Sequence, residues 1–185
     1  MLEVEMKFPV RDFATVESRL AEANARRIST RQDVDQYFNA PDRDFARTDE
    51  ALRIRRIGSA NFVTYKGPKR DTQTKTRTEI EVPLAEGAAT AEAFAKLLTH
   101  LGYRPVAVVQ KQRRIYHLER GTFSLEVSLD QVQGLGHFVE IEILAPKERL
   151  EDARRVVQEL ATALGLTTSE RRSYLELLLE AQGKL

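Results

Sequence analysis

The chain has 185 residues, of which 42% are hydrophobic and 31% are charged, and this length suits one well-packed domain better than two. Its 29 basic and 28 acidic residues give a formal net charge of +1, so no overall field favours nucleic acid or an anionic membrane surface. The sequence contains no cysteine, which excludes disulfides, thiolate catalysis and Cys-ligated zinc. It has neither a basic N-terminal segment followed by an apolar run nor 18 consecutive apolar residues, and it therefore predicts a soluble, cytoplasmic protein.

Segments with strand-like and helical periodicity follow one another along the chain. Strands are predicted, in chain order, at about residues 2–9, 33–39, 50–57, 61–67, 75–83, 105–118, 121–130 and 136–145. Helices are predicted at about 12–26, 88–102, 150–165 and 169–182, where Asp12 and Ser169 are candidate N-caps. Because no repeat or linker separates these segments, residues 1–185 are predicted to form a single α+β domain.

The first predicted strand alternates charged and apolar side chains. Glu3, Glu5 and Lys7 point to one face of the strand, whereas Val4 and Met6 point to the other. A similar alternation recurs in the segments ALRIRR, RTEIEV, KQR, FSLEVSLD and FVEIEI. Strand after strand therefore has one apolar face and one face of charged or polar side chains.

The four predicted helices are amphipathic and need an apolar surface to pack against. The apolar face of the sheet provides this surface, so the charged face must point away from the helices. In an open sheet that face would be wet, which is the simpler interpretation of any single strand. Around eight strands, however, is about the number at which a sheet closes into a barrel with a lumen. Charges in a lumen are costly unless they are paired, hydrated or ligated, so the pattern favours a tunnel that binds a ligand.

The side chains of the predicted lumen indicate the chemistry of that ligand. Clustered arginine forks and lysines suit phosphate oxygens, and several of them suit a chain of phosphates better than a single one. Clustered carboxylates without cysteine, and with histidine only at His100, His117 and His137, suit a hard cation such as Mg2+ or Mn2+. A triphosphate with a divalent metal ion satisfies both sets of side chains.

The segment EVEMK resembles the E-x-E-x-K signature of the CYTH superfamily, the triphosphate tunnel metalloenzymes. The resemblance covers nearly the whole chain, because it extends to DQYF, ALRIRR, TYKGPK, RTEIE, KQRRIY, SLDQVQGLGHFVEIE and RRSY. E-x-E-x-K alone is a weak pattern, whereas this ordered set across one domain is specific. The resemblance implies a closed, eight-stranded antiparallel β-barrel, or tunnel, with a charged lumen and with helices packed outside.

The same resemblance implies roles for individual residues. The implied metal ligands are Glu3, Glu5, Asp130, Glu140 and Glu142. The implied triphosphate-binding residues are Lys7, Arg53, Arg55, Lys66, Arg77, Lys111 and Arg113, and the catalytic residues are Tyr37, Lys66 and Arg113. Glu79 and Glu81 are either further ligands or partners of nearby cations. Glu126 is expected to pair with a basic neighbour, and His137 is expected to face away from Glu140.

The reaction is left open between members of the superfamily. KQRRIY, LDQVQGLGHFVEIE and RRSYLELL are most similar to class IV adenylyl cyclases, which convert ATP to cyclic AMP and pyrophosphate. Tyr37 and Lys66 also match positions implicated in thiamine triphosphatases, so a hydrolase acting on thiamine triphosphate or tripolyphosphate is the alternative. A polyphosphate-binding module without catalysis is a third. In each case the partner is a small triphosphate molecule, not nucleic acid or a membrane, and a homodimer remains open.

Overall fold

Strands and helices fill most of the chain. The computed structural model describes residues 2–69 and 77–184. Its strands are β1 (Leu2–Val10), β2 (Arg26–Asn39), β3 (Ala51–Ile57), β4 (Ala60–Lys66), β5 (Glu79–Leu84), β6 (Arg104–Arg120), β7 (Phe123–Val132) and β8 (Gly136–Ala145). Its α-helices are α1 (Ala14–Glu22), α2 (Phe45–Thr48), α3 (Ala88–His100), α4 (Leu150–Ala163) and α5 (Tyr174–Ala181).

The eight strands form one antiparallel sheet in the order β1-β8-β7-β6-β2-β3-β4-β5. Between the edge strands β1 and β5, the described residues form a single bridge, from Glu3 to Arg77. The sheet is thus an open half-barrel. Eight antiparallel strands with helices outside are confirmed, but the prediction of a closed barrel is wrong.

The chemistry around the end of β4 explains where its ladder with β5 stops. Lys66 pairs with Glu79, and the next residues are Gly67 and Pro68. Proline has no backbone N–H and cannot donate to a ladder. Strand β5 therefore begins at Glu79, and of the predicted strand 75–83, residues 75 and 76 lie outside the described residues.

Helices α1, α3 and α4 cover the apolar face of the sheet, as the alternation predicted, whereas α5 packs on the charged face, where Tyr174 contacts Lys7 and Asp130. The largest core cluster joins Val4 of β1 and Ile141 of β8 to Val157 and Leu160 of α4. A separate cluster packs Ile54 of β3 against Leu98 of α3 together with neighbouring side chains. The charged side chains of the same strands are thereby directed to the concave face. No helix in the described part of the chain is long and apolar enough to cross a bilayer.

Several element boundaries differ from the predicted ones. Helix α1 ends at Glu22 rather than near residue 26, because Asn24 adopts a left-handed conformation with φ 58° and Ile28 and Thr30 belong to a longer β2, where branched side chains are favoured. The N-cap of the last helix is Ser173, which forms a capping box with Glu176, and not Ser169.

The short helix α2 was not predicted. It has four residues, and the carboxylate of Asp44 accepts a hydrogen bond from the Ala46 backbone at its start. The side chain of Asn39 accepts a further bond from the backbone N–H of Phe45. A single turn held by side-chain caps has no repeated apolar period, so the pattern that identifies longer helices is missing here.

The core contact of α4 generates a test of the fold. Leu160→Ala is expected to lower the free energy of unfolding by about 2 to 5 kcal/mol, because Leu160 is 2% exposed and packs in the main cluster. Leu97→Ala on α3 is the matched control, since Leu97 is 50% exposed, and its effect is expected to stay within about 0.5 kcal/mol. Urea denaturation measures both, and equal effects would contradict the packing described here.

Candidate active site

A cavity of about 920 Å³ lies on the concave, charged face of the sheet. Such a volume is within the range of pockets that enclose a ligand the size of a nucleotide. Of the predicted site residues, those that line the cavity are Glu3, Glu5, Lys7, Tyr37, Arg53, Arg55, Lys66, Arg77, Lys111, Arg113, Glu140 and Glu142. The structure thus brings together side chains from seven strands or their ends, and Asp130 is the predicted site residue that does not line the cavity.

Asp130 lies behind the cavity wall and is completely buried. Its Oδ1 accepts a hydrogen bond from Arg113 Nε at 2.7 Å, and its Oδ2 accepts bonds from Arg113 Nη2, from Lys111 Nζ at 3.1 Å and from the Tyr174 hydroxyl at 2.9 Å. Both oxygens are therefore engaged by donors. In this arrangement Asp130 supports two cations of the site, and its role as a metal ligand stays a prediction.

Asp35 is a second buried carboxylate of the same kind, and it was not among the predicted site residues. Arg55 donates to it through Nε and Nη2, both at 2.7 Å, and Arg53 Nη1 lies 3.4 Å from Oδ2. Burial alone would raise the pKa of Asp35, but the charges of Arg53 and Arg55 outweigh it and hold the pKa well below its ordinary value. The segment DQYF includes Asp35, but only the strand register shows that Asp35 lies opposite Arg55.

Lys66 forms ion pairs with both edge strands of the sheet. Its Nζ lies 3.2 Å from a carboxylate oxygen of Glu3 on β1 and 2.6 Å from Glu79 on β5. Burial disfavours the charged form, but Glu3 and Glu79 outweigh this effect and raise the pKa of Lys66. Lys66 is therefore a fixed cation, which can stabilise negative charge but cannot accept a proton. Glu79 is its partner in this arrangement.

The pKa of Lys111 is shifted in the opposite direction to that of Lys66. Its burial, followed by the charge of Arg113, lowers the pKa of its ammonium group, although Asp130 and Glu140 oppose this shift. An anion entering the cavity would stabilise the charged form of Lys111. The residue is thus suited to hold a phosphate that arrives from solution.

The ammonium group of Lys7 is contacted by the C-terminal segment. Lys7 Nζ donates to the backbone oxygen of Arg172, and it lies 4.1 Å from the ring centroid of Tyr174 and 5.7 Å from that of Phe138. Tyr174, which begins α5, is buried and lines the cavity. Its contact with Lys7 is long-range in sequence, and no local motif predicts it.

A row of three carboxylates crosses β1, β8 and β7. Glu142 lies opposite Glu5 on one side and opposite Glu126 on the other, and all three line the cavity. Burial, and then the charges of Glu3, Glu5 and Glu126, raise the pKa of Glu142 well above its ordinary value. Glu126 approaches His117 at 3.4 Å, as expected of a residue with a basic neighbour, but it also belongs to this acidic row.

The acidic row fits a hard divalent cation by its donor chemistry. It offers only carboxylate oxygens, which Mg2+ and Mn2+ prefer, and a cation would relieve the repulsion that raises the pKa of Glu142. Within residues 2–69 and 77–184, no three acidic or histidine side chains are already gathered at ligating distance. Binding would therefore require these carboxylates to move together. His137 is not part of the row, because its ring packs edge-on against Phe13 with a centroid distance of 4.9 Å.

Comparisons with known proteins identify the family. A CYTH domain model matches residues 1–174, and the chain therefore belongs to the CYTH family. A candidate adenylate cyclase of Methanocaldococcus jannaschii is 39% identical over 180 residues, which cover 96% of this chain and 98% of the relative. The adenylate cyclase CyaB of Aeromonas hydrophila is 34% identical over 178 residues, which cover 93% of this chain and 86% of the relative.

Solved structures agree with this assignment. A Pyrococcus horikoshii protein has a TM-score of 0.85 and 40% identity, with 96% of this chain and 98% of that chain covered. A Hippeastrum protein named as an adenylyl cyclase candidate with a dominant triphosphatase activity has a TM-score of 0.63, with 100% of this chain and 96% of that chain covered. Its 16% identity makes it a likeness of fold alone.

The pairing of Asp35 generates a prediction for stability. Asp35→Asn is expected to lower the free energy of unfolding at pH 7 by about 3 to 5 kcal/mol, because it removes the carboxylate that binds Arg55 through two bonds and leaves only the more distant Asp33, at 3.8 Å. The folded-state pKa of Asp35 is depressed from 3.8, so the contribution of the wild-type carboxylate is complete above that pH and is lost as the pH falls through the folded-state pKa. The difference between variant and wild type should therefore shrink in acid.

The matched control is Asp152→Asn, which removes a carboxylate from an exposed pair with Arg155. Its effect is expected to stay within about 0.5 kcal/mol. Denaturant titrations from neutral to acidic pH measure both variants. A pH-independent difference for Asp35→Asn would show that the carboxylate does not act through its charge.

The acidic row generates a second prediction. Without metal, Glu142→Gln is expected to stabilise the protein at pH 7 by up to about 1 kcal/mol for each like-charge contact relieved. The pKa of Glu142 is raised from 4.5, so the stability of the metal-free wild type should rise as the pH falls from neutral towards 4.5, and the variant should lack this component. Mg2+ or Mn2+ should stabilise the wild type, and the variant should lose most of that gain.

Thermal melts with chelator, Mg2+ and Mn2+ measure these differences. Glu159→Gln on the exposed side of α4 is the control and should melt like the wild type in every buffer. Equal stabilisation of the wild type and Glu142→Gln by metal would exclude Glu142 from the metal site.

Proposed function

We propose that this protein is a metal-dependent enzyme that acts on a triphosphate, with ATP cyclisation to cyclic AMP and pyrophosphate as its reaction. The observation that carries the proposal is a pair of buried guanidinium nitrogens. Nε of Arg53 and Nε of Arg77 have no hydrogen-bond partner among the described residues, and both side chains line the cavity. A buried donor without a partner is costly, and a phosphate oxygen is the acceptor that suits a guanidinium group best.

The spread of cations along the cavity supports a chain of phosphates. Arg53 and Arg55 lie on β3, Lys111 and Arg113 on β6, and Lys66 on β4. These strands lie on both sides of β2 and beyond it, and several cations spread in this way suit a chain of phosphates better than a single one. Three linked phosphates extend over a longer path, and the incoming negative charge would also favour the charged form of Lys111.

Carboxylates of the acidic row, together with the nearby Glu3 and Glu140, give the site its second component. Glu3, Glu5, Glu140 and Glu142 are the residues that would hold Mg2+ or Mn2+. When bound, the ion would neutralise phosphate charge and polarise phosphate oxygens. The basic side chains bind and orient the substrate, and Lys66, as a fixed cation, stabilises charge that develops on the phosphates.

Cyclisation is the first candidate because relatives with 39% and 34% identity carry adenylate cyclase names. In that reaction the 3′ hydroxyl of the ribose attacks the α-phosphorus, and the bond to the bridging oxygen of the pyrophosphate breaks. Triphosphate hydrolysis is the second candidate, since the Hippeastrum protein with this fold is named for a dominant triphosphatase activity. In hydrolysis the same cations would act while water attacks a terminal phosphorus.

Product analysis separates the two candidates. The purified protein is incubated with ATP, thiamine triphosphate and tripolyphosphate, first in Mg2+ and then in Mn2+, and the products are separated by chromatography. Cyclic AMP with pyrophosphate supports the cyclase, whereas ADP or orthophosphate supports the hydrolase. Tight tripolyphosphate binding without turnover of any substrate would reject both and leave a binding module.

Arg113 provides a prediction for the chemical step. Arg113→Lys keeps the positive charge but loses the planar fork. The turnover number is expected to fall about 30- to 150-fold, equivalent to roughly 2 to 3 kcal/mol. The fork binds Asp130 through Nε and Nη2 and so fixes the guanidinium group, whose charge is expected to stabilise the leaving phosphates more than it stabilises bound substrate. The Michaelis constant should change less, and steady-state kinetics measures both.

The neighbouring Arg114 is the matched control. It points to the other face of β6 and contacts Glu17 of α1 at 2.8 Å, so Arg114→Lys should leave turnover unchanged. A change at Arg113 that is confined to the Michaelis constant would show that its fork binds substrate without acting in the transition state.

A further inference from the structure

Tyr174 occupies a position that the proposed reaction does not yet explain. It is the first residue of α5, it is 6% exposed, and it lines the cavity. Its ring packs edge-on against Phe138 of β8 with a centroid distance of 5.2 Å. An apolar side chain would serve such packing equally well, so packing alone does not account for the hydroxyl group.

The hydroxyl group of Tyr174 is directed at the buried carboxylate behind the cavity wall. It donates to Asp130 Oδ2 at 2.9 Å, the same oxygen that accepts from Lys111 Nζ and Arg113 Nη2. An oxygen that is shared by three donors is fixed from three directions. The hydroxyl therefore restrains the carboxylate on which the positions of Lys111 and Arg113 depend.

The ring face of Tyr174 contacts two cations directly. Lys7 Nζ lies 4.1 Å and Lys111 Nζ lies 4.9 Å from its centroid, both within the range of cation–π attraction. The ring thus lies close to two ammonium groups, which come from β1 and β6. It stabilises both, and it holds them on the side of the cavity where Arg113 also lies.

The start of α5 is itself fixed to β1. The backbone N–H of Glu170 donates to the Lys7 oxygen at 2.7 Å, and Lys7 Nζ donates to the Arg172 oxygen. Ser173 and Glu176 form a capping box around the first turn. Tyr174 is therefore held at its backbone as well as at its ring and hydroxyl group.

We propose that Tyr174 is a positioning residue of the phosphate site, which aligns Lys7 and Lys111 through its ring and Arg113 through Asp130. This inference rests on the proposed function, since it assumes that these three cations bind the triphosphate. It assigns the C-terminal segment a part in substrate binding, because the same side chain contacts cations from two strands that are not neighbours in the sheet.

The experiment compares two buried tyrosines whose hydroxyl groups both donate to a carboxylate, one on the cavity side of the sheet and one on the helix side. Tyr116 is also buried, and its hydroxyl also donates to a carboxylate, that of Glu17, at 2.8 Å, but this pair lies on the helix side of the sheet. The variants are Tyr174→Phe, Tyr174→Leu and Tyr116→Phe. Isothermal titration with tripolyphosphate in Mg2+ measures binding, and thermal melts confirm that each variant is folded at the temperature used.

Tyr174→Phe, which keeps the ring, is expected to bind tripolyphosphate roughly 10-fold more weakly than the wild type. Tyr174→Leu, which loses the ring as well, is expected to bind roughly 100-fold more weakly. Tyr116→Phe should bind like the wild type even where its melting temperature falls as far as that of Tyr174→Phe. This order of affinities would show that Tyr174 affects tripolyphosphate binding and that loss of stability alone does not.

Equal affinities of Tyr174→Phe and Tyr116→Phe would overturn the inference, whether or not Tyr174→Leu folds. Failure of triphosphate binding gives a different result, because the wild type itself would then bind no tripolyphosphate, and failure of catalysis alone would leave this binding intact while the wild type turns over no triphosphate. A wild type that binds together with Tyr174 variants that bind equally well would reject the positioning role alone.

Discussion

The structure depends on the burial of cations next to carboxylates on the concave face of one sheet. Asp35 holds Arg55 with two bonds of 2.7 Å, and Asp130 holds Arg113 and Lys111. A buried ion pair recovers its desolvation cost only when geometry and hydrogen bonding are good. A fold that needed only stability would have apolar side chains at these positions, so the pairs are better explained by what they orient than by what they stabilise.

These pairs divide the concave face into two parts. Around Arg53, Arg55 and Arg113, cations are supported from behind by carboxylates that do not line the cavity. Across Glu5, Glu142 and Glu126, carboxylates stand side by side on neighbouring strands. The net charge of +1 conceals this separation, which is why composition excluded a global field but could not exclude strong local ones. An anion and a cation bound together complement both parts.

Much of the fold could be predicted from local patterns, because a period of two assigns side chains to faces without knowledge of the neighbours. The alternation of Glu3 and Glu5 with Val4 and Met6 assigned the two pairs to opposite faces, and the need of the helices for an apolar surface then indicated which face was charged. The partner of each charge could not be predicted in this way. That Asp35 lies opposite Arg55, and that Tyr174 reaches Asp130, depends on strand register and on the docking of a helix distant in sequence.

The closure of the barrel was mispredicted and the pairing of Asp130 was not foreseen, because both depend on contacts across the sheet. The number of strands indicates that a sheet can close, but whether it does depends on the ladder between its edges, and here the described residues at the two edges form only the bridge from Glu3 to Arg77. The segment SLDQVQGLGHFVEIE places Asp130 among acidic residues in sequence. In the sheet it lies opposite Arg113, and a carboxylate opposite a guanidinium group becomes its partner before it can become a metal ligand.

The edges of the half-barrel connect its stability with its chemistry. Where a closed barrel would have a continuous ladder between β1 and β5, this sheet has the bridge from Glu3 to Arg77 and the ammonium group of Lys66 between Glu3 and Glu79. All four side chains line the cavity. The groups that hold the edges together are therefore also groups that a triphosphate and a metal ion would contact. A substitution of a cavity residue can therefore lower activity either by destabilising the fold or by altering the site. A matched substitution on the helix side of the sheet, which destabilises the fold without altering the site, distinguishes the two effects.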